Sequence, residues 1–350
     1  TTVSSEISAV PAKSYELPAG LRWGGLCALL LAVSFVSASA GRFQIPVADV
    51  VQILGRWIQS GADPVTMEER ILVNVRLPRI VLAAIVGAGL ALCGAALQSL
   101  FRNPLVSPRV LGLSSGAALG GATTLLFGGS AAMLFTATFT SSFLALLLVA
   151  VISHMAGRTV LTIVLAGIVI DALFSAMISI TQFVADPETS LPAIVFWLMG
   201  SFSSATWDKF WQNGPIVILA IAILYRLRFR IAVLSMGEEE ARSFGVNVQA
   251  TRWLIFAVIS VIIGGCVAVS GVIGWVGLVV PHAARLLVGE GHLRFYGTAT
   301  LLGATFLVVI DALARTITSA EIPLGILTAI IGAPVFVYLL CARKAHGGRA

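Results

Sequence analysis

A few ionisable side chains stand inside or at the ends of otherwise apolar stretches of this 350-residue chain, and their types decide what chemistry is open to it. Asp171 lies within 159–185, Asp311 and Arg315 within 296–315, and His282 and Arg285 close an apolar run that ends at Val288. Charge is costly in lipid, so such residues are candidates for proton relays or ion pathways. Asp311 and Arg315 are four residues apart, share a helical face and can pair. Asp171 has no obvious mate in the sequence, which makes it the residue a proton-coupled carrier would use. Hydrolytic chemistry finds little support: there is no HExxH and no GxSxG, and His154 and His282 lie in unrelated segments. A phosphate-cradling loop needs glycines before a Lys-Ser or Lys-Thr pair. Of Lys13, Lys209 and Lys344 only Lys13 precedes Ser, with no glycine in the six residues before it. The chain therefore offers no ATP site and no catalytic residue of its own. Cys27, Cys93, Cys266 and Cys341 each sit in an apolar segment without CxxC or Cys/His spacing, so they read as packing residues with no disulfide, metal or cofactor. The classes left are a transporter and, less well supported, an intramembrane enzyme.

The elements that must position these residues are membrane helices. Hydrophobic residues make up 58% of the chain and charged residues 11%, and the mean hydropathy is +0.99, far from a soluble composition. The net charge of +6 comes from scattered arginines without a dense run, which fits membrane orientation and excludes a nucleic-acid partner. Ten spans are expected: 23–40, 80–101, two within the uncharged run 110–153 broken at 127–130, 159–185, 210–225, 253–269, about 272–288, 296–315 and 322–342. The segment 191–200 is too short to cross and reads as a partial helix of the kind that lines a cavity. Residues 1–20 read as a cytoplasmic tail without a cleavable signal, 21–343 as one transmembrane domain and 344–350 as a second cytoplasmic tail. Residues 47–58, in the first long connection, have the pattern of a short interfacial helix.

An even number of spans puts both termini on one side. Placing them inside puts 15 of the 22 basic residues in the cytoplasm. Five of the remaining seven, Arg42, Arg56, Arg70, Arg76 and Arg79, crowd the first external loop, where something acidic can dock. The chain is organised around the hairpin from Arg76 to Gly121. Asn103-Pro104 and Ser107-Pro108 forbid a continuous helix there, and Gly112, Gly116 and Gly120 recur every four residues to form a packing groove.

The landmarks Arg76-Leu-Pro-Arg79, Gly94 to Gln98, Arg102-Asn-Pro-Leu105, Leu111-Gly112 with Ser115-Gly-Ala117, and Phe244-Gly245 appear in that order. They are followed by Gly274 to His282 (GWVGLVVPH), Arg285, Asp311 with Arg315, Glu321-Ile-Pro-Leu-Gly325 and Gly332-Ala-Pro334. Together they resemble the FecCD-type permease family of ABC importers for iron-siderophores, haem and cobalamin, from about residue 22 to 343. The resemblance implies an all-α, ten-helix permease of the type II importer fold in the bacterial inner membrane. Its partners would be a second permease subunit, identical or not, two ATP-binding cassette ATPases and a periplasmic substrate-binding protein. It implies that Arg76, Arg79 and Arg315 dock acidic residues of the binding protein. It makes Gly237 to Gly245 (Gly237, Glu238, Glu239, Glu240, Ala241, Arg242, Ser243, Phe244 and Gly245), within 237–247, the coupling helix on the ATPase. Asn103, Leu105 and Thr159 would form the cytoplasmic gate, and 191–200 the gate of the opposite mouth. The cargo implied first is an iron-siderophore, then haem or cobalamin; oxyanions such as molybdate also occur in the family. The competing reading is the proton-coupled carrier built on Asp171.

Overall fold

The computed structural model describes residues 19–347 apart from 42, 62, 158, 290–292 and 319. The expected tail 1–20, the end of the second tail, Arg42 and Arg158 thus lie mostly or wholly outside the described residues. Every regular element among the described residues is helical: α1 (Ala19–Ser39), α2 (Val47–Ser60), α3 (Met67–Arg70), a π-helical stretch (Ile71–Arg76) and α4 (Leu77–Leu100). A single 3-10 turn (Pro108–Leu111) leads into α5 (Leu113–Leu126), α6 (Ala131–Met155), α7 (Val160–Val184), α8 (Ser190–Met199) and α9 (Trp207–Arg226). The second half holds α10 (Arg228–Leu234), α11 (Glu238–Ser243), α12 (Val248–Ser270), α13 (Val276–Val288), α14 (Arg294–Thr316) and α15 (Leu324–Gly347). The ten expected spans correspond to α1, α4, α5, α6, α7, α9, α12, α13, α14 and α15, with α8 as the expected partial helix and α2 as the expected interfacial one.

Two boundaries differ from the expectation, for identifiable reasons. Span two was expected to begin at Ile80, because Arg76, Pro78 and Arg79 look like a terminus. Instead α3, the π-helical stretch and α4 run on as one helix from Met67 to Leu100. Pro78 falls just after the π-helical stretch, where the i→i−4 hydrogen-bond ladder is already offset. Span eight was expected from about residue 272, but 271–275 is non-helical and Trp275 has φ of 67°. That conformation is costly for a tryptophan and persists only where its surroundings over-determine it. Here Trp275 packs against Gly332 of α15.

The centre of the bundle is α4, buried over 83% of its most apolar window, against 28% for α6 and for α7. It packs along α14, α13, α9 and α12. Lipid supplies no hydrophobic force between helices, so close backbone approach must hold them. A Cβ on Gly87 would lie 2.2 Å from the Gly303 carbonyl of α14, and one on Gly94 only 1.9 Å from the Gly277 carbonyl of α13. The expected groove is also in place in part: Gly116 and Gly120 meet the backbone of α6 at Ser141 and Ala137. Gly112 does something else. It precedes α5 in the left-handed region (φ 69°) and faces Ile170 and Asp171 of α7, so it turns the chain and does not belong to the α6 groove. Cys93 and Cys266 are buried in the core, whereas Cys27 and Cys341 are exposed.

Candidate transport and coupling sites

At the end of the bundle that carries α8, two arginines converge on two carboxylates and a third bonds backbone carbonyls beside them. Arg79 Nε donates to both oxygens of Asp311 at 2.8 and 3.0 Å, while its two terminal nitrogens donate to Glu321 at 2.8 and 2.9 Å. One planar guanidinium therefore joins α4, α14 and the connection into α15, a geometry that a lysine cannot reproduce. Arg315 pairs with Asp311 at 3.3 Å, as their four-residue spacing allows, and also donates to the Ser37 hydroxyl and carbonyl of α1. Arg76 donates to the carbonyls of Ala38, Ser39 and Phe43. The exposures of Arg76, Arg79 and Arg315 are 4%, 4% and 8%. The three cations expected to dock a binding protein spend donors inside the chain and fasten α1, α4, α14 and α15. Among the described residues, the exposed arginines of this end are Arg56, which pairs with Glu69 at 3.1 Å, and Arg70.

At the opposite end lies the bend 101–107. Asn103 Oδ1 accepts from the Leu105 amide at 2.9 Å, an Asx turn that holds the non-helical path between the two prolines. Thr159 Oγ1 accepts from the Thr162 amide at 3.1 Å and caps α7. Asn103, Leu105 and Thr159 are all exposed, so each shapes a turn on the surface that a single chain presents.

On the same end, α11 stands between α10 and α12. Glu238, Glu239 and Glu240 occupy its first turn, where the helix dipole favours negative charge, and Gly245 follows its end at φ of 74°. Only Ala241 of this helix is buried; Glu238, Glu239, Glu240, Arg242, Ser243 and Phe244 are exposed. Its base is fixed by Glu238, which accepts from the buried Arg252 of α12 at 2.7 Å. The sequence reading had missed Arg252. The Glu238–Arg252 pair gives α11 a rigid connection to a core helix, and an arginine at the start of an apolar span near an acidic run was the signal for it. The Gly237 backbone also lies against the Arg102 guanidinium, which brings the bend and α11 together.

Asp171 proves to have a partner: Arg109 approaches its Oδ2 at 3.7 Å from the 3-10 turn. This ties α7 to the end of the hairpin bend and gives the carboxylate a structural task. Asp171→Asn is accordingly expected to leave ATP-driven uptake within about twofold of wild type, the usual scale for loss of a half-exposed ion pair. Uptake by reconstituted vesicles checks this, and abolition of uptake would return Asp171 to the centre of the mechanism. Among the described residues no cluster of His, Cys, Asp and Glu is arranged to hold a metal ion.

A buried helical core, a charge clasp at one end and one short exposed acidic helix at the other define a membrane permease. Residues 29–342 match the FecCD transport family. The chain is 42% identical over 327 residues to the molybdate import system permease protein MolB of Haemophilus influenzae, covering 92% of this chain and 96% of that one. It is 35% identical to the hemin transport system permease protein HmuU of Yersinia pestis, over 93% and 96% of the two chains. Among solved structures, a metal-chelate type ABC transporter in an inward-facing conformation superposes with a TM-score of 0.83 at 39% identity, covering 92% of this chain and 99% of that one. The chain belongs to the FecCD family of ABC importer permeases. It has the type II importer fold, is a multi-pass inner-membrane protein and is a transport subunit, not an enzyme. Membership in the family implies ATPase and substrate-binding partners.

Proposed function

We propose that two copies of this permease, or this chain and a close relative, enclose a pathway that alternates between outward- and inward-facing states. A binding protein delivers cargo at the α8 end and two ATPases drive the cycle from the α11 end, so both termini are cytoplasmic. The observation that carries this reading is α11: a six-residue exposed helix, held to the core through Glu238 and Arg252, has the build of a lever that transmits movement of a partner. The bend at Asn103 and Leu105, in touch with α11 through Arg102 and Gly237, and the cap at Thr159 form the cytoplasmic gate. The large exposed apolar side chains of α7, among them Leu165, Ile168 and Leu173, supply the face toward the second permease. Binding-protein docking falls to the exposed Arg56 and Arg70, while Arg76, Arg79 and Arg315 hold the surface behind them in shape.

The cargo we propose first is an iron-siderophore, with haem and cobalamin next, on the family's usual membership. The 42% identity to a permease named for molybdate supports a tetrahedral oxyanion as the second reading. Proteoliposomes containing permease, ATPase and binding protein, offered labelled ferric siderophore, haem, cobalamin and molybdate with either ATP or a proton gradient, test both. Uptake of one cargo that needs ATP and the binding protein is expected; uptake by this chain alone on a proton gradient would overturn the importer mechanism.

Deleting Glu238 to Val246 is expected to abolish co-purification of the ATPases while leaving the helical core folded. Co-purification at the wild-type level would refute the coupling assignment. Arg56→Glu with Arg70→Glu is expected to weaken binding-protein association by about tenfold or more in low salt, since like charges then face an acidic partner. Unchanged association in a pull-down titration would move docking elsewhere.

A further inference from the structure

The cavity of about 510 Å³ beside α8 carries a set of open hydrogen-bond donors, and the transport cycle described above gives it no task. The segment 200–204, between α8 and α9, brings Ser201, Ser203 and Ser204 to its lining, and the first turns of α9 bring Lys209 and Gln212. Gln212 follows Lys209 by three residues and so shares its side of the helix. Lys209 Nζ donates to the Ser204 hydroxyl at 2.7 Å, which draws segment and helix together at one point. An ammonium has three N–H groups, so this bond leaves two. Ser204 accepts there and keeps its own O–H; Ser201 Oγ likewise accepts, from the Ser203 amide at 2.9 Å, and keeps its O–H. Ser203, Ser204 and Gln212 are exposed and Ser201 and Lys209 half-buried, so these donors are open to a ligand. Among the described residues the charged members of the lining are Lys209 and Glu321. Both Glu321 oxygens already accept from Arg79, whereas Lys209 has no carboxylate in ion-pair range among the described residues. The cavity thus presents one uncompensated positive charge.

An ammonium, three hydroxyls and an amide, with no open carboxylate, suit oxygen atoms that carry negative charge and disfavour a free cation. Phe135, Phe196 and Trp197 also line the cavity, and apolar surroundings strengthen a charge-assisted hydrogen bond. We propose that the cavity binds a tetrahedral oxyanion, a dianion of the molybdate type whose oxygens accept from Lys209, Ser201, Ser203, Ser204 and Gln212. The inference rests on the oxyanion reading of the cargo given above. Ala193, Phe196 and Trp197 belong to α8, so an anion held here lies against the helix that borders the mouth where cargo is delivered.

Equilibrium dialysis of labelled molybdate against the intact transporter, permease with its ATPases but without binding protein, tests the site in lipid-free detergent and in nanodiscs of phosphatidylglycerol. One saturable site per permease is expected in both media, displaced by tungstate and not by acetate. Lys209→Gln is expected to weaken it about tenfold, the factor that 1.4 kcal/mol represents, and Lys209→Arg, which keeps the charge, to stay nearer wild type. Ser203→Ala with Ser204→Ala removes two neutral donors without altering charge and is expected to weaken binding about fivefold, which keeps a reading should a lysine variant fold poorly. Absence of saturable binding, or wild-type affinity in both Lys209→Gln and the double alanine variant, would overturn the proposal. Binding present in detergent but lost in phosphatidylglycerol would overturn it too, and would assign the donors to a lipid phosphate. Uptake in proteoliposomes separates this site from the cargo reading beneath it. ATP-driven molybdate uptake by a transporter that lacks such binding sinks the site alone, whereas Lys209-dependent binding without molybdate uptake upholds the site and sinks the oxyanion as cargo.

Discussion

Arg79→Met is expected to be the most damaging single substitution at the α8 end, lowering stability by about 3–5 kcal/mol, because it leaves partners of a buried ion pair uncompensated. The carboxylate of Asp311, in a residue with no exposed surface, would keep only Arg315, and Glu321 would keep no cation at all. Since Glu321 lies just before α15, the loss also frees the connection between α14 and α15. The effect should appear as a lowered Tm in detergent and as reduced recovery of monodisperse protein. Arg79→Lys keeps the charge but cannot span two carboxylates, so it should fall between wild type and Met. Adding Asp311→Asn and Glu321→Gln to Arg79→Met removes the stranded negative charges and should recover part of the loss, though Arg315 then lacks its own partner. A wild-type Tm for Arg79→Met would mean that the clasp contributes nothing, and its arginines would again be free to act in docking.

The clasp also shows where sequence reading stopped. Helices, their number and their class were legible, because apolar runs of span length leave few alternatives and the landmarks of the family occur in order. Asp311 with Arg315 was legible too, since four residues on a helix is a contact rule. The partners of Arg79 were not legible because they lie 232 and 242 residues away. A charge beside a span reads as a surface cation until the helix carrying the opposite charge is in place. The same limit applied to Asp171, whose mate Arg109 comes from a turn outside its own helix. Gly245 and the acidic start of α11 were readable because capping is local, while Arg252, fourteen residues from Glu238, was not. The continuous helix from Met67 escaped for a different reason: Pro78 normally signals a start, and a π-helical stretch that leads a helix into that proline has no sequence signature of comparable strength.

Gly94→Leu is expected to prevent assembly of the core, and Gly94→Ala to cost about 1–3 kcal/mol, the range for overpacking a filled interior. Glycines four apart were easy to find in α5, yet two of the close helix approaches, Gly94 with Gly277 and Gly87 with Gly303, join glycines on different helices, and neither half of such a pair is conspicuous alone. A Cβ at Gly94 would lie 1.9 Å from the Gly277 carbonyl, whereas real contacts essentially never fall below 3.0 Å, so α4 and α13 must separate. No flexible side chain can absorb the change, because the opposing atom is backbone. The displacement would be felt at both ends of α13: at the 271–275 segment beside α15, and at Arg285, which shares a wall with Arg102 and Asn103 of the bend. Gly94→Ala should therefore lower uptake more than it lowers the yield of folded protein, because the bend proposed as the cytoplasmic gate follows directly on α4, one of the two helices forced apart. Gly24→Ala is the matched control: nothing lies within 4 Å of its Cβ position, and alanine in a helix is favoured by about 1 kcal/mol over glycine. Measuring Tm and uptake for both variants separates the cases. If Gly94→Ala matched Gly24→Ala in both, close backbone contact between α4 and α13 would not be what holds the gate.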